Sequence, residues 1–211
     1  MSLHIFSREL LKRVLASCML LGSSALSQPL GIKEPANSKA TIVMLGDSIT
    51  QAGTWATLLN EHRVINRGVA GYTTGDLLHE VNETIALKPT KIFLMIGIND
   101  LLRGASVEQT FKTYSSLVTQ LRTSGAQLYL QSTLECARAE CGKTVESVQE
   151  LNRKLRALAS SMDLIYIDLN VGLTKAPQGL LPQYNWDGLH LSKSAYNYWA
   201  AHIKPYLQNS M

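Results

Sequence analysis

Thr41-Ile42-Val43-Met44-Leu45-Gly46-Asp47-Ser48-Ile49-Thr50 is the stretch on which the fold turns. Its first five residues form a continuous apolar run closed by Gly46. A strand covered on both faces reads this way, whereas a strand with one wet face alternates polar and apolar residues. Lys91 to Gly97 (KIFLMIG), Gln127 to Gln131 (QLYLQ) and Leu164 to Leu169 (LIYIDL) have the same character, and Arg63 to Asn66 is a shorter strand candidate. Helical patterns fill the intervals. Trp55 to Leu59 reads as a helix, and from Thr74 the residues Leu77, Leu78, Val81 and Ile85 share one face until Lys88-Pro89. Ser106 and Gln109 make a capping box ahead of a helix carrying Phe111, Tyr114, Leu117, Val118 and Leu121. Thr144 to Ala159 is helical, and Ser192 caps a last helix bearing Trp199, Ile203 and Leu207. Asn170 to Trp186, with Pro177, Gly179 and Pro182, reads as a long structureless connection that shapes a lid. Strands alternating with helices predict a three-layer α/β/α sandwich on about five parallel strands.

With 211 residues, 45% apolar and 17% charged, the chain suits one domain and is too apolar for disorder. Its net charge is +4, and half of that sits in the leader, where Arg8, Lys12 and Arg13 face only Glu9. What remains gives no electrostatic footprint for nucleic acid, so none is expected as a partner. The basic head, the uncharged run Val14 to Leu26 and the exit Ala25-Leu26-Ser27 describe a signal peptide over residues 1–27, with cleavage near Ser27 and export to periplasm or medium. The run is too short for a stable membrane span, which takes roughly 20 residues. Leu15-Ala16-Ser17-Cys18 is similar to a lipobox, but almost no apolar run precedes Cys18, so lipoprotein anchoring is the weaker alternative. Residues 28–39 read as a lead-in and 40–208 as the domain. Cleavage leaves Cys136 and Cys141, an even count that favours a disulfide in an oxidising compartment, with two free thiols as the alternative. No His or further Cys lies near them in sequence, so zinc is not expected there.

Ligands of open α/β sheets gather beyond the carboxyl ends of the strands. Four short blocks stand at or near those ends: Gly46-Asp47-Ser48, Asn66 to Thr73 around Gly71, Gly97-Ile98-Asn99-Asp100, and Asp187-Gly188-Leu189-His190 before the final helix. A serine hydroxyl needs an adjacent base, a histidine is the usual one, and its second nitrogen needs a carboxylate. Asp187 and His190, three residues apart, can meet within one backbone turn. His62, His79 and His202 fall on helix patterns without a carboxylate so placed. An oxyanion needs donors aimed in advance; the Ser48 and Gly71 backbone N–H groups and the Asn99 amide are the candidates. Asp47 and Asp100 read as residues that organise their turns.

In these blocks the chain resembles the SGNH (GDSL-type) hydrolases, from Ala40 to about Leu207. The resemblance implies a flavodoxin-like sheet of order 2-1-3-4-5, with Ser48, Asp187 and His190 as catalytic residues and Ser48, Gly71 and Asn99 as the oxyanion hole. It also implies a serine esterase without metal or organic cofactor, acting on small acyl (acetyl) or lysophospholipid-type esters. Trp55, Tyr72, Tyr184 and Trp186 lie near these blocks, where they stack on a sugar, line an acyl pocket or merely pack. Three other readings compete: an idle glycan- or partner-binding domain of the same fold, an acyltransferase using the same residues, and a flavodoxin-like module for phosphate or flavin. The last leaves the Asp187 to His190 block unexplained, and the chain has no G-x-x-x-x-G-K-[ST] loop.

Overall fold

The computed structural model describes residues 42–207, so the leader with Cys18, the lead-in and the outermost residues of the expected domain lie outside the described part. In chain order the elements are β1 Ile42–Gly46, α1 Ser48–Gln51, α2 Trp55–Leu59, β2 Val64–Gly68, α3 Thr74–His79, α4 Val81–Ala86, β3 Lys91–Met95 and α5 Ile98–Leu102. There follow α6 Val107–Leu121, β4 Gln127–Gln131, α7 Arg138–Cys141, α8 Thr144–Ser161, β5 Ile165–Ile167, the short strands β6 Thr174–Lys175 and β7 Gly179–Leu180, and α9 Lys193–Ile203.

The main sheet runs β2-β1-β3-β4-β5 with every pairing parallel. Every residue of the central strands β1 and β3 is buried, which explains their unbroken apolar runs. At the edge, β2 is only partly covered and accepts Asn66 and Arg67. One face of the sheet carries α3 to α6 and α8, whose inward stripes (Tyr114, Leu117, Val118, Leu121 on α6; Val145, Val148, Leu151, Leu155 on α8) are fully buried. On the opposite face α9 packs with α2. There Trp55 meets Trp199 edge-on at 4.7 Å, and the Trp199 indole N–H donates to Gln131 on β4 at 2.6 Å.

The structure departs from the sequence reading at several element boundaries. The helix expected from Thr74 to Lys88 breaks at Glu80, whose backbone (φ −100°, ψ 11°) leaves the helical basin while its carboxylate accepts the Tyr72 hydroxyl at 2.7 Å. Leu207 lies beyond the end of α9, after a 3-10 turn. The Asn170–Trp186 connection is not structureless: β6 and β7 pair antiparallel across it, and Pro182–Tyr184 forms a 3-10 turn. The Cys136 carbonyl accepts the Leu180 N–H at 3.2 Å, so this hairpin is tied to the body of the domain. Cys136 and Cys141 are joined in a disulfide.

Candidate active site

The chain turns from β1 straight into α1, and Asp47 makes the turn. Its Oδ1 accepts the Ile49 N–H at 3.0 Å, capping the short helix. Ser48 is therefore the first residue of α1, at the carboxyl end of a central strand. Asp47 is fully buried, and its Oδ2 has no hydrogen-bond partner among the described residues. Burial pushes its pKa from 3.8 up to about 7, against the lowering effects of the Ile49 N–H and of His190.

Ser48 Oγ lies 3.1 Å from His190 Nε2, and His190 Nδ1 lies 2.7 Å from Asp187 Oδ2. An ionised carboxylate only accepts, so Nδ1 carries the ring proton and Nε2 is left to accept from the Ser48 hydroxyl. The other oxygen, Asp187 Oδ1, accepts the Leu189 and His190 N–H groups at 2.9 and 2.7 Å. Burial alone would raise the Asp187 pKa. The ring and backbone hydrogen bonds from His190, with that of Leu189, outweigh it and hold the carboxyl below its ordinary range. Gly188 allows the tight turn between acid and imidazole: its φ is +86°, and a Cβ there would strike the Glu140 side chain.

The two remaining blocks meet one another at the same end of the sheet. Gly68 pairs with Gly46, and the Val69 N–H donates to the Gly46 carbonyl at 3.1 Å, which sets the Gly71 loop beside β1. The Asn99 amide nitrogen donates to the Tyr72 carbonyl at 2.9 Å. Its second hydrogen has no partner among the described residues. Asp100 accepts from the Thr74 N–H and hydroxyl at 2.9 and 2.6 Å, so it fastens α5 to the start of α3. Arg103 donates to the Gly71 carbonyl at 2.6 Å. Sequence reasoning missed this clamp, because only the sheet order brings Arg103 to a loop 32 residues away.

The aromatics divide. Trp55 is a core residue, its indole N–H donating to the Thr50 carbonyl at 2.7 Å, and Tyr72 is turned to Glu80. The Tyr184 carbonyl accepts the Ser192 N–H at 2.9 Å. Trp186 is different: it is 66% exposed and stacks on the His190 ring at 5.4 Å with 20° between the planes. His202 donates from Nδ1 to the Tyr198 carbonyl on α9 at 3.0 Å and takes no part in the cluster. Among the described residues, no group of three or more His, Cys, Asp or Glu side chains is arranged to hold a metal ion. No helix among them is long and apolar enough to cross a membrane.

Residues 44–198 match the family model of the GDSL-like lipases/acylhydrolases. The chain belongs to the GDSL-like lipase/acylhydrolase family. An N-acylneuraminate cytidylyltransferase of Streptococcus agalactiae serotype V is 26% identical over 75% of this chain but over 37% of its own length. This chain thus spans little more than a third of that relative. An acetylxylan esterase of Geobacillus stearothermophilus is 25% identical over 62% of this chain and 65% of its own. A GDSL-like lipase of Bacteroides thetaiotaomicron superposes with a TM-score of 0.74 over 96% of this chain and 98% of its own, at 22% identity, a likeness of fold.

Proposed function

We propose that the protein is a serine esterase that hydrolyses small acyl esters, acetyl esters foremost, through an acyl-enzyme on Ser48. One observation carries it: the unbroken hydrogen-bond path from the Ser48 hydroxyl through His190 to Asp187. As Ser48 Oγ attacks the acyl carbonyl, His190 Nε2 takes its proton, and the Asp187 carboxylate stabilises the imidazolium while staying ionised. The carbonyl oxygen becomes an oxyanion that accepts from the Ser48 and Gly71 N–H groups and the second amide hydrogen of Asn99. When the tetrahedral centre collapses, the bond to the alcohol oxygen breaks and the imidazolium protonates that oxygen. Water then attacks the acyl-enzyme with His190 again as base, releasing the acid and restoring Ser48.

The small acyl group draws support from the acetylxylan esterase relative and from the polar surface. Val171 and Trp186 are the exposed large hydrophobic residues among those described, which is little apolar surface for a lysophospholipid chain. The proposal also puts the mature enzyme outside the cytoplasm after cleavage near Ser27, a compartment in which the Cys136–Cys141 disulfide persists.

Hydrolysis of p-nitrophenyl acetate and labelling by a fluorophosphonate test the chemistry together. The parent protein is expected to label at Ser48, and Ser48→Ala to lose label and roughly 10³-fold or more in turnover while its melting curve stays cooperative. An unlabelled parent points to an idle binding domain instead. Undiminished turnover in Ser48→Ala ends the proposal. Ester formed in place of acid when an alcohol is added identifies an acyltransferase.

A further inference from the structure

We propose that Trp186 is the platform for the alcohol half of the ester and that it selects a carbohydrate there. This rests on the esterase reading of Ser48 and His190. In that chemistry the leaving oxygen must come within hydrogen-bond reach of His190, because the imidazolium protonates it. The alcohol half is therefore held beside His190, and the side chain lying along His190 is the Trp186 indole, 5.4 Å away and 20° from parallel.

The indole is not there to fill the core, since 66% of its surface is exposed. Its backbone is nonetheless held firmly. The Trp186 N–H donates to the His190 carbonyl at 3.3 Å, Asn185 bridges antiparallel to Leu191, and the Asn185 side chain takes the Gly188 N–H at 2.7 Å while donating to the Leu181 carbonyl at 2.9 Å. A rigid, solvent-facing indole binds at low cost in conformational entropy.

Isolation of this ring points to the ligand's class. Val171 is the other exposed large hydrophobic residue among those described, so Trp186 does not belong to a run of exposed large hydrophobic side chains. A lipid alcohol needs such a run along its length. A pyranose ring needs one flat apolar face for its axial C–H groups and water or polar groups around its rim. A lone indole beside the catalytic imidazole meets that need.

The test compares one acyl group on three alcohols: a monoacetylated methyl pyranoside, octyl acetate and ethyl acetate. For Trp186→Ala, kcat/KM for the pyranoside relative to ethyl acetate is expected to fall about tenfold, which corresponds to the energy of one aromatic contact. Trp186→Phe is expected to restore most of that ratio. An unchanged ratio overturns the platform, including the case in which both esters slow together because the indole merely steadies His190. An equal loss on octyl acetate overturns the choice of carbohydrate. Binding of the pyranoside to Ser48→Ala, followed by calorimetry with and without Trp186→Ala, gives a readout free of turnover, and the affinity is expected to weaken by a similar factor. Fluorophosphonate labelling of Ser48 in the parent is run alongside. If that labelling fails, the esterase reading has failed, a result distinct from a labelled enzyme whose ratio ignores Trp186.

Discussion

Asp47 holds a buried carboxyl one residue before the hydroxyl that faces His190, and its pKa of about 7 against an ordinary 3.8 links stability to pH. Between those values the folded protein keeps a proton on Asp47 that the unfolded chain has lost. The folded state then binds more protons, so unfolding becomes easier as pH rises from about 4 to about 7. Above that window the loss is complete, and below it the group contributes nothing. Asp47→Asn removes the titration while keeping an oxygen to cap Ile49. Melting temperatures followed from pH 4 to pH 8 should show the parent losing ground to Asp47→Asn as pH rises, by an amount on the order of a few kcal/mol at the top. Curves that run parallel across the range would mean that Asp47 titrates normally in the folded protein. The sequence identified Asp47 as a turn residue. Its buried, unpartnered oxygen was not legible there, because burial depends on what packs over the turn.

At the scale of elements, legibility followed how local the cause was. The capping box of Ser106 and Gln109 is written in four consecutive residues, and it stands in the structure at the head of α6. The strands β1, β3 and β4 also announced themselves, since burial on both faces demands an apolar run. Glu80 did not, because the hydrophobic spacing continues through it; its break is tied to a hydrogen bond from Tyr72 that no helical pattern encodes. The Asn170–Trp186 hairpin stayed hidden for a similar reason. Its strands are two residues each, and part of its anchoring comes from the Cys136 carbonyl. That anchor makes the disulfide testable. Ala137, next to Cys136, donates its N–H to the Gly188 carbonyl at 2.7 Å, so the Cys136–Cys141 loop holds the turn between Asp187 and His190. Closing so short a loop, with a sequence separation of 5, stabilises by about 2 kcal/mol on chain-entropy grounds. Cys141→Ser is expected to lower the urea midpoint accordingly, and dithiothreitol to do the same to the parent. A midpoint that ignores both treatments would show that the hairpin contacts hold the turn without the covalent link.

For the molecule as a whole, the parallel sheet delivers Ser48, the Gly71 loop and Asn99 to one rim because β2, β1 and β3 are neighbours, and the Asp187–His190 turn arrives from the far end of the chain. That convergence leaves the surface beyond the rim to decide which acyl group is accepted. If the domain offered an apolar groove, each added methylene of the acyl chain would bury against it for about 0.8 kcal/mol. Such a gain is roughly a fourfold rise in kcat/KM per methylene, compounding along the chain. Val171 and Trp186 are the exposed large hydrophobic residues among those described, and Trp186 lies on the imidazole side, so the described surface offers little exposed apolar area for a long acyl chain. Across p-nitrophenyl esters from acetate to palmitate, kcat/KM is therefore expected to be highest at the short end and to fall as the chain lengthens. Crossing the micellar limit of the longer esters should bring no jump in rate, because few large hydrophobic side chains stand exposed on the described surface. A steady rise toward the long chains would require more apolar binding surface than these exposed residues supply, and would overturn the small-acyl proposal without bearing on the role proposed for Ser48.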